Sequence, residues 1–124
     1  MNMKQVISLL FTGLMVLTLT ATAEVQSSAG NVLVTFVELG SVRCIPCKKM
    51  QPIMEEIKKE YPDQVKVVFY DVWTPEGQPY ARQYKIRLIP TQVFLDKDGN
   101  EYFRHEGFFP KEELVKVLQQ KGVK

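Results

Sequence analysis

Two β-rich apolar runs with a helical stretch between them leave this chain few folds to adopt. Val32–Leu39 is apolar on both faces apart from Thr35 and Glu38, and Val65–Val72 is rich in β-branched and aromatic residues. The first has the composition of a strand covered on both sides within a parallel sheet. Between the runs, Met50, Ile53, Met54, Ile57 and Tyr61 recur at spacings of three and four. That period predicts an amphipathic helix over Ile45–Glu60, stopped at Pro62 and kinked at Pro52. A strand, a helix and a strand in that order form a right-handed crossover, with the two strands parallel and the helix on one face.

The remaining elements follow from punctuation. Pro75 and Gly77 end the second strand, and Pro79–Tyr84 reads as a short helix with proline at its first position. Thr91–Leu95 and Glu101–Glu106 flank the loop Asp96-Lys97-Asp98-Gly99-Asn100, which predicts an antiparallel hairpin. Pro110 opens a last helix with Leu114, Val117 and Leu118 on one face and Glu112 and Glu113 in its first turn. The order is β-α-β-α-β-β-α, an α/β chain in one domain. A formal net charge of +2 leaves no electrostatic footprint for nucleic acid.

The N-terminus stands apart from this domain. Lys4, the apolar stretch Val6–Leu19 and the small residues of Ala21-Thr22-Ala23 fit a secretory signal peptide over residues 1–23, cleaved after Ala23. An uncleaved anchor is the alternative. Residues 24–124 then form the mature domain, with a polar lead over Glu24–Asn31, and the expected location is periplasmic or secreted. Such a compartment is oxidising, and thiols there stay reduced only if something reduces them.

Against that background the two cysteines, Cys44 and Cys47, are the chain's most informative residues. They are too few for a disulfide scaffold or a four-thiolate zinc site, and a bridge closing so small a loop constrains the unfolded chain little. A working redox pair is the better reading. Cys44 falls at the exposed start of the helix, where free backbone N–H groups, the helix dipole and the nearby Arg43, Lys48 and Lys49 favour a thiolate. Cys44 is therefore the expected nucleophile, and Cys47, one turn on, the resolving thiol. Both lie at the carboxyl end of the strands, where ligand chemistry gathers in such sheets, together with the Trp73-Thr74 loop.

Glu38 sits near the end of the first strand. Burial there raises a carboxyl pKa, and a raised carboxyl beside a dithiol can accept the proton of Cys47; the alternative is an outward-facing, solvated side chain. His105, the single histidine, has only Glu106 within metal-ligand spacing, so no metal site is expected around it. Cys44, Cys47, Met50 and Met54 form a soft sulfur set that would suit Cu(I), although methionines spaced in this way beside Ile53 and Ile57 are usual in a core.

From about Val32 to Leu118 the chain resembles the thioredoxin family. The resemblance rests on Cys44-Ile45-Pro46-Cys47-Lys48, on Pro52 five positions after the second cysteine, on Ile89-Pro90-Thr91, and on Gly107 beyond the hairpin. It implies a thioredoxin-like fold with a mixed central sheet and flanking helices, protein disulfides as substrates and no cofactor. It also implies a cis Ile89-Pro90 bond facing the cysteines, with the backbone of Ile89 free to pair with an extended substrate. Trp73 and Arg43 are expected as further substrate contacts.

The sequence departs from the family in several places. Arg43 stands where thioredoxins carry tryptophan, Ile45-Pro46 replaces Gly-Pro, and Glu38 replaces the buried aspartate. An apolar residue near Val67 replaces the lysine that often pairs with that aspartate, and the N-terminus is shortened by a strand and a helix. Strongly oxidising members have a histidine where this chain has Pro46, so the resemblance favours a protein-disulfide reductase, monomeric and recharged by a membrane thiol-electron carrier. A disulfide oxidant or isomerase is the alternative.

The leader assignment predicts a mature chain beginning at Glu24. Intact-mass measurement of protein recovered from its native host checks this, and a product retaining residues 1–23 would place the protein in the anchored class.

Overall fold

The computed structural model describes residues 30–124. The signal peptide expected over residues 1–23 and most of the polar lead lie outside the described residues. Among the described residues, four strands and three helices follow in the order anticipated: β1 (Val34–Gly40), α1 (Ile45–Glu60), β2 (Val65–Asp71), α2 (Gln78–Gln83), β3 (Thr91–Asp96), β4 (Glu101–Glu106) and α3 (Lys111–Gln119). β1 begins two residues later than the apolar run suggests. Its pairing with β2 sets in only where the chain emerging from α1 has turned through Tyr61–Gln64, and Leu33 and Val34 both donate to the Gln64 carbonyl at that turn.

The sheet order is β2-β1-β3-β4. β1 runs parallel to β2 and antiparallel to β3, and β3 pairs antiparallel with β4, so the sheet is mixed. Having a partner on each edge, β1 is, like β3, an interior strand, and six of its seven residues are buried.

Period-two alternation divides β1 between two cores. Val34 and Phe36 join Met50, Met54 and Ile57 of α1 and Leu114, Val117 and Leu118 of α3 in the larger one. Phe36 stacks on its register partner Phe94 with ring centroids 5.0 Å apart. Val37 and Leu39 face the other way, into a smaller core with Val72, Val93 and the α2 residues Tyr80 and Ala81. α1 and α3 therefore cover one face and α2 the other. α1 runs through Pro52, whose missing N–H leaves the Lys48 carbonyl without its usual helical donor.

Two glycines allow close approaches that place the functional end of the sheet. A Cβ on Gly77 would overlap the Asp71 carbonyl, so only glycine lets the chain turn back from β2 into α2. A Cβ on Gly40 would lie 3.1 Å from the Cys47 sulfur, so the last residue of β1 is the floor on which the start of α1 rests.

Candidate active site

Cys44 is the N-cap of α1. Its backbone is extended (φ −89°, ψ 125°), and its Sγ accepts the Cys47 N–H at 3.4 Å. Ser41 O receives the Cys44 N–H at 3.2 Å, and Cys44 O receives the Lys48 N–H at 3.0 Å. Cys44 and Cys47 are joined by a disulfide, with Cα atoms 5.1 Å apart. No acidic residue occupies the first turn of α1, so the partial positive charge of the helix start is left for the sulfur. The sequence predicts an exposed Cys44, and here the structure differs: the residue keeps 7% exposure, against 1% for Cys47. Ser41, the first residue of the loop before the helix, is itself buried, and the Cys47 sulfur lies against Gly40.

That loop is held by Asp71, which sequence reasoning missed. Its carboxylate accepts from Ser41 Oγ at 3.3 Å, from the Val42 N–H at 3.2 Å and from the Trp73 N–H at 3.0 Å. Partial burial raises the Asp71 carboxyl, but the N–H groups of Val42 and Trp73, the Ser41 hydroxyl and the charge of Arg43 outweigh that effect and hold it below the ordinary range. One aspartate thereby latches the cysteine loop to the Trp73 loop. Above it the Arg43 guanidinium lies 5.7 Å from the Trp73 ring centroid, and both line a groove with Val72, Thr74, Pro75 and Gln78.

Ile89-Pro90 is cis. Leu39 pairs with Thr91, so Pro90 sits level with Gly40, at the sheet end that carries the cysteines. Pro90 is buried, and its carbonyl accepts the Gly107 N–H at 2.7 Å. Ile89 is half-buried and packs on the smaller core. Val42, Ile45, Trp73, Leu88 and Phe108 are exposed apolar residues of the loops and helix start that meet at this end, Ile45 at 71%.

Glu38 is fully buried. Alternation along β1 puts it between Phe36 and Gly40 on the face covered by α1, so the outward, solvated alternative is overturned by the central position of β1. Gln92 Nε2 donates to Glu38 Oε1 at 3.1 Å, while Oε2 has no partner. Burial pushes the Glu38 carboxyl up to about 8, opposed by the Gln92 hydrogen bond. Val67 is apolar and packs against the larger core, as the sequence indicates, so no lysine from that position reaches the acid.

Met50 and Met54 are core residues, and the Met50 thioether accepts the Phe109 N–H at 3.3 Å. Among the described residues no group of three or more His, Cys, Asp and Glu side chains could hold a metal ion.

A helix-capping disulfide at the end of β1, a cis proline at the same end of the sheet and a buried acid on the α1 side of β1 have the chemistry of a thiol–disulfide oxidoreductase, and comparison with known proteins supplies the family. The family model of the thioredoxin-like domain matches residues 20–122. Thioredoxin 1 of Synechococcus elongatus is 40% identical over 97 residues, covering 78% of this chain and 85% of the relative. The Bacillus subtilis thioredoxin is 37% identical over 95 residues, covering 77% and 86%. Among solved structures, a thioredoxin from Nicotiana alata superposes with a TM-score of 0.62 at 28% identity, covering 77% of this chain and 78% of that one. Chloroplastic thioredoxin z gives 0.64 at 26%, covering 74% and 80%. The chain belongs to the thioredoxin-like family and is a thioredoxin-like disulfide oxidoreductase with Cys44 and Cys47 as its pair.

The buried acid makes stability depend on pH. A carboxyl raised in the folded state holds its proton more tightly folded than unfolded, so stability is fully present below the ordinary carboxylate range and is lost as pH rises through about 8. Glu38→Gln, which keeps the acceptor for Gln92, removes that loss. Denaturant unfolding of the disulfide form from about pH 5 to pH 9 should show the wild type losing a few kcal/mol that the variant retains. Parallel profiles would mean that Glu38 ionises as freely in the folded state as in the unfolded chain.

Proposed function

We propose that residues 24–124 act after export, in the periplasm or outside the cell, as a monomeric reductase of protein disulfides. The Cys44 thiolate attacks one sulfur of the substrate disulfide. The substrate S–S bond breaks, a mixed disulfide to Cys44 forms, and one substrate thiolate leaves. Glu38 accepts the proton of Cys47, whose thiolate then attacks Cys44 Sγ. This closes the Cys44–Cys47 bond and releases the second substrate thiol. A membrane thiol-electron carrier returns two electrons to the pair.

The observation that carries the reducing direction is the sparse hydrogen bonding of the Cys44 sulfur. Pro46 removes one donor from the first turn of α1, and among the described residues the Cys47 N–H, at 3.4 Å, is the one hydrogen-bond donor to that sulfur. Arg43 is charged but held over Trp73 at the surface, where solvent screens it. A modestly stabilised thiolate gives a low potential, because strong oxidants owe theirs to a stabilised reduced form. The exposed apolar residues at this end of the sheet, with Arg43 beside them, suit an extended, partly apolar peptide lying along the Ile89 backbone.

Equilibration with a glutathione redox buffer reads the direction. The expected potential is nearer the roughly −270 mV of thioredoxin than the roughly −120 mV of a strong periplasmic oxidant. A value close to the latter would reverse the assignment from reductase to oxidant.

A further inference from the structure

Glu38 pairs with Gln92 across β1 and β3, and Gln92 pairs with His105 across β3 and β4. The three residues form one polar row on the α1 side of the sheet. The next row, two residues along, is Phe36, Phe94 and Phe103. Gln92 is fully buried and both ends of its amide are engaged: Nε2 donates to Glu38 Oε1 at 3.1 Å, and Oε1 lies 2.9 Å from His105 Nδ1.

We propose that His105 is a positioning residue for the dithiol reaction, holding the Gln92 amide in the one orientation that supports an ionised Glu38. A carbonyl oxygen only accepts, so with Oε1 turned toward the ring His105 must carry a proton on Nδ1. The flipped amide would set its oxygen against the Glu38 carboxylate, an arrangement tolerable only while the acid is protonated. A proton on Nδ1 therefore favours the orientation that donates to Glu38.

The surroundings leave His105 this role. Its ring is clamped against Phe109, centroids 4.1 Å apart and planes within 8°, and the Phe109 N–H is anchored on Met50 of α1. The imidazole is half-buried, and the stack on Phe109 keeps its orientation fixed. Competing charges are occupied. From β2 the row meets Phe69, and Asp71 beyond it is taken by Ser41, Val42 and Trp73. α1 brings Cys47 and Met50 to this face. On β4, Arg104 is bound to Glu101 and Glu106 to Arg87.

The proposal rests on Glu38 as the proton acceptor for Cys47, and two readouts separate the claims. The first is the titration of the Glu38 carboxyl, followed by carbon NMR in the disulfide form. His105→Phe, which keeps the stack on Phe109 but has no Nδ1–H, should raise the Glu38 midpoint by about one unit, the weight of one hydrogen bond. Gln92→Leu should raise it too, and the double variant no further than Gln92→Leu alone, since the influence of His105 passes through the amide. His105→Asn restores a donor near Nδ1 and should recover part of the shift, which distinguishes a lost hydrogen bond from general loosening. An unmoved midpoint in His105→Phe, or additive shifts in the double variant, would overturn the positioning role. The second readout is the pH profile of disulfide exchange by the reduced protein, which should move with the carboxyl midpoint. A profile that stays in place while the carboxyl shifts would uphold the relay and refute Glu38 as the acceptor.

Discussion

The pairing of β1 on both of its edges governs what this site can do. β1 has no solvent-facing edge and α1 covers the face that position 38 occupies, so the side chain there is buried and a carboxyl in it cannot ionise cheaply. The same pairing delivers Gly40 to the underside of α1. With no side chain at 40, the helix start settles directly on the sheet and the Cys47 sulfur is enclosed. An acid reluctant to lose its proton and a thiol shut away from water thus both lie on the α1 side of β1. Their common side follows from the alternation along β1, and the chemistry proposed for them follows from their burial.

The rim around Cys44 has a different origin. Asp71 gathers N–H groups from two loops and fixes the distance between the cysteine turn and the Trp73 turn. Being charged and well bonded, it holds those loops against the exposed apolar residues they display. The site combines a rigid floor, built by β1, with a pinned rim, built by Asp71. A disulfide that exchanges with protein disulfides benefits from such a rim, since a pinned rim reorganises less on contact.

Much of this was legible in the sequence because it is local. The spacing of Cys44 and Cys47, the proline between them, the helical period after them and the strand–helix–strand order each lie within a window of a few residues, and the elements formed within about two residues of the bounds they imply. Burial of Glu38 could be anticipated because its strand is apolar on both sides. Gln92 and Asp71 could not. Their roles depend on register: Gln92 matters because it falls opposite Glu38, 54 positions away in the chain, and Asp71 because it ends level with Gly40. His105 looked idle when judged for metal ligation. Its partner is a buried amide reached across a strand, and nothing in the residues beside it signals that. The exposure of Cys44 was overestimated for a related reason, since the fold of the Ser41–Arg43 loop is set by a residue on β2.

The central claim is that the two sulfurs have unequal parts, Cys44 being the one that substrates meet. Alkylation of the fully reduced protein near neutral pH, with each cysteine followed separately by peptide mass, tests this most directly. The account predicts rapid modification of Cys44, where the helix start favours a thiolate, and slow modification of Cys47 beneath the helix on Gly40. Equal rates at the two positions, or faster reaction at Cys47, would contradict it.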